Sequence, residues 1–222
     1  MLAMSPQHVS PCLLRGGAGR PGRPRARLAL TALALLIGGA LSGRAAPDLF
    51  DEIYARSLPI DATVKTIRAS FVETTTSPML AKPLVATGTL VAVRPTDVEL
   101  IYRTPPEKTI TIKNGQLILE MPSRKLRQER DISTTLARVQ KYFVSKSPDE
   151  LRTHFTIAAS EDPARSDTYR IDMTPKRKQI EQGLTRLELW LRKDTLMLDA
   201  MRMHFPGDGT KLMEFKDVEL NR

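Results

Sequence analysis

The stretch Gly88–Tyr102, GTLVAVRPTDVELIY, decides the fold that this sequence predicts. Apolar residues alternate with others on both sides of Arg94-Pro95, as they do in strands that bury one face. The proline falls between the two runs, where its missing N–H does least harm to a sheet. If the phase of the alternation holds, the Arg94 side chain points to the same face as Leu90 and Ala92. The stretch therefore predicts two antiparallel strands with a guanidinium on their apolar face.

Alternating patterns of this kind recur along most of the chain. Asn114-Gly115 lies between two of them and is a strong signal for a two-residue hairpin turn. The runs that we interpret as strands are Val64–Thr75, Leu84–Val93, Asp97–Arg103, Lys108–Lys113, Gln116–Met121, Lys125–Arg130, His154–Ser160, Thr168–Thr174, Leu184–Leu191, Met197–Phe205 and Leu212–Leu220. So many strands meeting at tight turns predict an antiparallel sheet.

Helical spacing interrupts the strand patterns. Asp48–Ser57 can form a helix that Pro59 limits, and Ser147 can cap another short helix. Between them, one helical stripe consists of Ile132, Leu136, Val139 and Phe143. The hydrophilic stretch Pro175–Gln182 indicates a solvated loop. Because helices with apolar stripes need a surface to lie against, we predict one large curved sheet with helices on its concave side.

Residues 1–45 have the order of a secretory signal peptide. Arginines precede an apolar stretch, Leu28–Leu41, which is shorter than the ~20 residues of a membrane span. Gly43 and Ala45 suit the small −3 and −1 positions, so we expect cleavage after Ala45. An uncleaved N-terminal anchor is the alternative. On the first interpretation, residues 46–222 form a single soluble, exported domain.

Removal of this segment changes the charge and the chemistry of the chain. The sequence has a formal charge of +9, and residues 1–45 contain six arginines and no acidic residue, so +3 remains. A mildly basic domain gives little support to a nucleic-acid partner. The only cysteine, Cys12, lies in the same segment. We therefore expect no disulfide and no cysteine-ligated metal in the mature domain.

The mature region lacks the sequence motifs of enzymes. It has two histidines, His154 and His204, and no nucleophile elbow, zinc-binding helix motif or phosphate-binding loop. The GDG of Gly207–Gly209 is typical of a hairpin turn. We therefore expect no enzymatic activity, no metal and no cofactor.

A set of short motifs, taken in order, resembles the LolA family of periplasmic outer-membrane lipoprotein carriers. The motifs are Ala69-Ser70-Phe71-Val72-Glu73, Gly88 with Leu90, Arg94-Pro95, Pro105, and Asn114-Gly115-Gln116 with Ile118. The match is good over Asp48–Met121 and looser afterwards. The resemblance implies a mainly β fold with some α-helix: an unclosed antiparallel β-barrel of about 11 strands, with a helical lid over an apolar cavity.

The resemblance also implies a function in transport. Such a carrier is a periplasmic chaperone that binds the acyl chains of lipoproteins and shuttles them from the inner to the outer membrane. Its partners are an inner-membrane release complex and an outer-membrane receptor, and we expect a monomer without cofactors. Val98 stands where the family commonly has an aromatic residue, and the segment QLILE after Asn114-Gly115 lacks the family's tryptophan. These departures leave open a glycolipid or pigment as the cargo.

Arg94 occupies the position of the family's characteristic arginine, which hydrogen-bonds to the backbone of the lid. The resemblance therefore implies that Arg94 is a lid latch, which closes the empty cavity by binding carbonyl groups at a helix end. The alternative is an arginine at a strand end that only reaches out to water.

Two sets of residues are predicted to line the cavity. The strands contribute Phe71, Leu90, Ala92, Val98, Leu100 and Tyr102, and the lid contributes Ile132, Leu136, Val139 and Phe143. Ordinary core packing of an amphipathic helix is the alternative for the second set.

Two other classes of protein remain possible. Related half-barrels act as regulatory modules that sense lipids, and a scaffold with a filled core is the other alternative. Bound lipid in the purified protein would distinguish the carrier from the scaffold.

Overall fold

The computed structural model describes residues 48–104, 106–143 and 147–221. The predicted signal peptide, residues 1–45, lies outside them. In the described part the chain forms eleven β-strands, four α-helices and one short 3-10 helix, Pro122–Arg124.

All eleven strands belong to one sheet, in which every neighbouring pair is antiparallel. The strands are β1 Thr66–Thr76, β2 Leu84–Val93, β3 Asp97–Tyr102, β4 Lys108–Lys113, β5 Gln116–Met121, β6 Leu126–Asp131, β7 Phe155–Asp162, β8 Arg165–Pro175, β9 Arg186–Arg192, β10 Leu198–His204 and β11 Thr210–Leu220. Their order is β6-β5-β4-β3-β2-β1-β11-β10-β9-β8-β7. The predicted strand number and antiparallel class are confirmed.

The sheet is open because β6 and β7, which are adjacent in sequence, form its two opposite edges. Its central strand is β1, which pairs with β11 so that Phe71 lies opposite Phe215. On the other side of β1, Phe71 lies opposite Gly88 of β2. The predicted unclosed antiparallel barrel is therefore confirmed.

Helix α1, Leu49–Thr63, begins as the sequence predicts but ends later. The Asp48 carboxylate accepts a 2.6 Å hydrogen bond from the amide of Phe50 and caps the helix. The predicted end near Ser57 is wrong, because the helix continues through Pro59. A proline removes one hydrogen bond of the helix interior, and the continued helix brings Ile60 to the sheet, which offsets that loss.

The remaining helices are α2 Ser133–Phe143, α3 Pro148–His154 and α4 Lys178–Glu181. Ser147 caps α3 as predicted, by accepting a 3.2 Å hydrogen bond from the Glu150 amide. The prediction of a loop over Pro175–Gln182 is wrong, since α4 lies within it. Ile180, only 7% exposed, packs into the core and holds this turn of helix in place.

Two apolar clusters fill the interior. The larger joins α1, α3 and α4 to β7–β9, and its most buried members are Phe155 and Ile53, at 0% and 2% exposure. The smaller lies on β1, β3 and β11 and includes Phe71, Tyr102 and Phe215. The helices therefore cover one end of the apolar face more completely than the other.

The opposite face of β8–β10 carries a buried ionic network. Glu188 is 2% exposed and is bound by Arg170, by Arg202 at 3.3 Å and by His204 at 2.9 Å. Burial by itself would raise the pKa of Glu188. The hydrogen bond with His204 and the charges of Arg170, Arg186 and Arg202 outweigh burial and lower that pKa below its usual value.

Candidate functional site

An apolar cavity of about 390 Å³ lies between the C-terminal half of α1 and the sheet. This volume is in the range of small-molecule binding sites. The lining residues are Ser57, Ile60, Asp61, Val64, Ile67, Ala69, Leu90, Arg94, Leu189, Leu191, Leu196, Met197, Leu198, Phe215, Val218 and Leu220. Ser57, Asp61 and Arg94 are the polar residues among them, so hydrocarbon covers most of the wall.

Strand alternation explains most of this wall. Ile67 and Ala69 of β1 are two residues apart, and Leu90 lies opposite Ala69 on β2. Phe215 and Val218 are three residues apart but line the same cavity. The pairing of β1 with β11 is irregular there, because β11 has one extra residue, and Asp217 has a φ of 52°. This bulge turns the Val218 side chain back to the face that Phe215 occupies.

Arg94 and Asp61 form an ion pair at this cavity. Nη2 of Arg94 lies 2.7 Å from the Asp61 carboxylate, and Nη1 donates a 3.1 Å hydrogen bond to the Asp61 carbonyl oxygen. That carbonyl lies in the last turn of α1. The side chains are 45% and 62% exposed, respectively. The guanidinium thus points to the cavity face and contacts a helix carbonyl; its role as a latch stays a prediction.

A second contact fixes the junction between α1 and β1. The Asn221 carboxamide oxygen accepts a 2.7 Å hydrogen bond from the Lys65 amide, and its nitrogen donates one of 3.0 Å to the Thr63 carbonyl oxygen. The Arg94 amide donates to the Lys65 carbonyl oxygen at 2.9 Å. The junction after α1 is therefore tied to the residue after β2 and to the residue after β11.

The predicted strand residues are distributed over more than the cavity. Leu90 lines it. Phe71 and Tyr102, at 2% and 3% exposure, are packed in the smaller apolar cluster beside it. The register places Leu100 opposite Leu90, and Val98 opposite Ala92. These three pairing partners, Ala92, Val98 and Leu100, are outside the lining of this cavity, and their role in binding cargo stays a prediction.

Helix α2 lies apart from the cavity. Its main packing partner in the described part of the chain is α3. Val139 is 42% exposed and Leu136 is half-buried. Ile132 lies beside Leu117 and Leu119 in a separate depression, which is also lined by Gln128, Glu129 and Arg130. The Phe143 side chain is outside the described residues, and a cavity role for these four residues stays a prediction.

The sequence pattern did not predict most of the wall. It did not identify Ile60, because the predicted helix ended too early, or Val64, which follows α1 and was assigned to a strand. It also assigned strands to β9 and β11 without assigning their apolar residues to a site. The signal was present in Leu187–Leu191, where leucines alternate with Glu188 and Trp190, but alternation does not say which part of a long sheet a helix covers.

A buried polar group lies near the apolar face, at Glu73. Tyr102 donates a 2.7 Å hydrogen bond to its carboxylate, and Nζ of Lys211 lies 3.2 Å from the other oxygen. Glu73 is 5% exposed. Burial raises the pKa of the Tyr102 phenol, and the hydrogen bond and charge of Glu73 raise it further.

The described part of the chain comprises residues 48–104, 106–143 and 147–221. These residues contain no group of three or more histidine, aspartate or glutamate side chains that is arranged to hold a metal ion. None of the helices described there is long and apolar enough to span a bilayer.

Comparison with known proteins gives one family match and several distant structures. No curated protein matches the chain. The lipoprotein LppX of Mycobacterium tuberculosis is 11% identical, with a TM-score of 0.49 over 75% of this chain and 93% of that one. A putative outer membrane lipoprotein-sorting protein domain from Vibrio parahaemolyticus is 10% identical, with a TM-score of 0.42 over 77% and 91%.

The MucA/MucB complex of Pseudomonas aeruginosa is also similar, with 14% identity and a TM-score of 0.43 over 78% of this chain and 57% of that one. The family model described as "Outer membrane lipoprotein carrier protein LolA" matches residues 62–222. Because this match covers more than half of the sequence, the chain belongs to the LolA family of outer membrane lipoprotein carrier proteins.

Proposed function

We propose that this protein is a periplasmic carrier that binds acyl chains of a lipoprotein, or of a similar lipid, in the cavity beneath α1. The family match supports this function. The observation that carries it is an apolar cavity of about 390 Å³ whose roof ends at the Arg94–Asp61 pair. The proposed role is binding and transfer, without catalysis.

Apolar walls give the carrier its affinity. Each methylene group removed from water contributes about 0.8 kcal/mol. A chain of a dozen or more carbons would then bind too tightly to be released, unless closing the empty cavity competes with it. In this proposal the closure of α1 onto the sheet is the competing state, and the lid equilibrium lowers the apparent affinity.

Arg94 favours the closed state. Its guanidinium binds the Asp61 carbonyl oxygen at 3.1 Å, at the negative end of the α1 dipole. Cargo that enters the cavity must move this part of α1. The two hydrogen bonds to Asp61 are then lost, which makes cargo binding weaker and release easier.

Transport requires a compartment and partners. In this proposal, residues 1–45 direct export to the periplasm. The carrier collects its cargo from an inner-membrane release complex and delivers it to an outer-membrane receptor as a monomer. The sequence pattern of residues 1–45 and the family match support these assignments.

The test is whether the protein carries bound lipid when it is isolated from the periplasm. Native mass spectrometry of the periplasmic protein should detect bound lipid, and an Arg94→Leu variant should hold more neutral lipid and release it more slowly. Arg192→Leu is the matched control, because Arg192 is similarly exposed, at 46%, and neither it nor its partners Asp194 and Asp199 belong to the cavity lining. Absence of lipid from the wild type and the Arg94→Leu variant would contradict the carrier function.

A further inference from the structure

Asp61 is the one acidic residue among the described residues of the cavity wall, and its position on α1 is unfavourable. It lies in the last turn of the helix, where no basic side chain is present. The C-terminal end of a helix carries partial negative charge and disfavours a carboxylate. The helix itself therefore does not stabilise the charge of Asp61; the guanidinium of Arg94, 2.7 Å away, does.

The ion pair is also easy to exchange. Both side chains are about half exposed, at 45% and 62%. Exposed ion pairs contribute little to stability, since water screens them and the long side chains lose entropy. Arg94 can thus exchange this carboxylate for another anion, and an anion on the cargo would restore the contacts that Arg94 loses when α1 carries Asp61 away.

The cavity and the ion pair together define a ligand. One wall of hydrocarbon accepts an alkyl chain, and the guanidinium at its edge offers parallel N–H donors to a planar or tetrahedral anion. The remaining lining residues, apart from Ser57 and Asp61, have no polar side chain with which to bind a head group.

We propose that Arg94 recognises an anionic group on the cargo and that Asp61 occupies its place when the cavity is empty. This inference rests on the proposed carrier function and names its ligand class: an amphiphile with an alkyl chain and a terminal carboxylate or phosphate. Opening of α1 and binding of the anion are then coupled, because the same guanidinium cannot hold both partners.

The test compares three 16-carbon ligands: palmitate, hexadecyl phosphate and the neutral methyl palmitate. Their dissociation constants are measured by displacement of a fluorescent probe from the delipidated wild type. Palmitate should bind about tenfold more tightly than its methyl ester, which is a typical effect of one charge-assisted contact. Whichever of the two anions binds more tightly identifies carboxylate or phosphate as the natural head group.

Variants separate recognition of the anion from opening of α1. Arg94→Gln should bring the affinities of palmitate and methyl palmitate to the same value. Asp61→Asn should strengthen palmitate binding about fivefold, and strengthen methyl palmitate binding less, because the competing carboxylate is gone. Asp208→Asn removes one charge from the exposed turn between β10 and β11. This control should leave the ratio of the palmitate and methyl palmitate affinities unchanged.

The possible failures are distinct. Equal binding of palmitate and methyl palmitate by the wild type would overturn this inference and leave the carrier function intact. A preference for the anion that persists in Arg94→Gln would also overturn it. If none of the three ligands binds to the wild type or to either cavity variant, the carrier function fails as well.

Discussion

The rings of Phe71 and Tyr102 meet edge to face, with centroids 5.1 Å apart, although the whole of β2 separates their strands. Gly88 of β2 lies opposite both residues. Because Gly88 has no side chain, the two rings close over it. This contact joins β1 to β3 at the centre of the smaller apolar cluster.

A methyl group at position 88 should therefore be costly. In Gly88→Ala the new Cβ would lie 2.6 Å from Cζ of Phe71 and still closer to the Ile101 carbonyl oxygen. Backbone cannot yield as a flexible side chain does, so we expect the free energy of unfolding to fall by about 1–3 kcal/mol in urea denaturation. Gly183→Ala is the control, since its nearest neighbour would be 3.9 Å away. Equal stability of the two variants would contradict this account.

The hydrogen bond from Tyr102 to Glu73 should be visible in stability at different pH values. Tyr102→Phe leaves the buried carboxylate with one partner fewer and should lower the free energy of unfolding by about 1.5–3 kcal/mol at pH 7. The folded pKa of Tyr102 is raised, so its contribution is complete below the unfolded value of about 10 and is lost as pH rises further.

The measurement is urea denaturation of the wild type and Tyr102→Phe between pH 7 and pH 11. The difference between their free energies of unfolding should be constant up to about pH 10 and should become smaller at higher pH. A difference that grows with alkaline pH would show that the phenol does not stabilise Glu73 as its donor.

The network around Glu188 should respond to acid. Glu188→Gln removes a 2% exposed carboxylate that Arg170, Arg202 and His204 all bind. The expected loss is about 3–5 kcal/mol of the free energy of unfolding at pH 7. Because the folded pKa of Glu188 is lowered, its contribution is present above the unfolded value of about 4.3 and is lost as pH falls below it.

Urea denaturation of the wild type and Glu188→Gln at pH 7 and at pH 3.5 tests this expectation. The difference between their free energies of unfolding should be smaller at pH 3.5. Glu181→Gln, at an exposed position of α4, controls for the loss of one carboxylate. If Glu188→Gln is as stable as this control at pH 7, the ionic network does not stabilise the fold.

Asn221 should control the mobility of the end of α1. Asn221→Ala removes the acceptor for the Lys65 amide and the donor to the Thr63 carbonyl oxygen. We expect hydrogen exchange at the Lys65 and Thr66 amides to accelerate at least about fivefold, which corresponds to a loss of about 1 kcal/mol. Asn221→Asp keeps the acceptor and loses the donor, so its exchange rates should fall in between. Unchanged exchange in Asn221→Ala would mean that other contacts hold this junction.

Local pattern was sufficient for most of the sheet. Alternation predicted all eleven strands, because each buries one face and the side-chain period of a strand is two. The hairpin turn at Asn114-Gly115 was also predictable from neighbouring residues alone, because both residues adopt positive φ, at 51° and 79°. The predicted phase that turns Arg94 toward the apolar face also agrees with its place in the cavity wall.

Patterns along the chain failed where the outcome depended on packing against distant residues. Pro59 is a local signal to end a helix, yet α1 continues because Ile60 finds an apolar surface on the sheet. Ile180 turns a hydrophilic stretch into a short helix for the same reason. In both cases burial against residues far away in sequence outweighs a local preference.

The sequence by itself thus determined an antiparallel sheet with one apolar face, a helix beginning at Asp48 and a guanidinium on that face, because each depends on neighbours a few positions apart. Only the tertiary structure decided that α1 covers the cavity while α2 packs on α3, and that Arg94 meets Asp61. These contacts depend on how eleven strands curve together and where they leave room for a helix, which no local periodicity encodes.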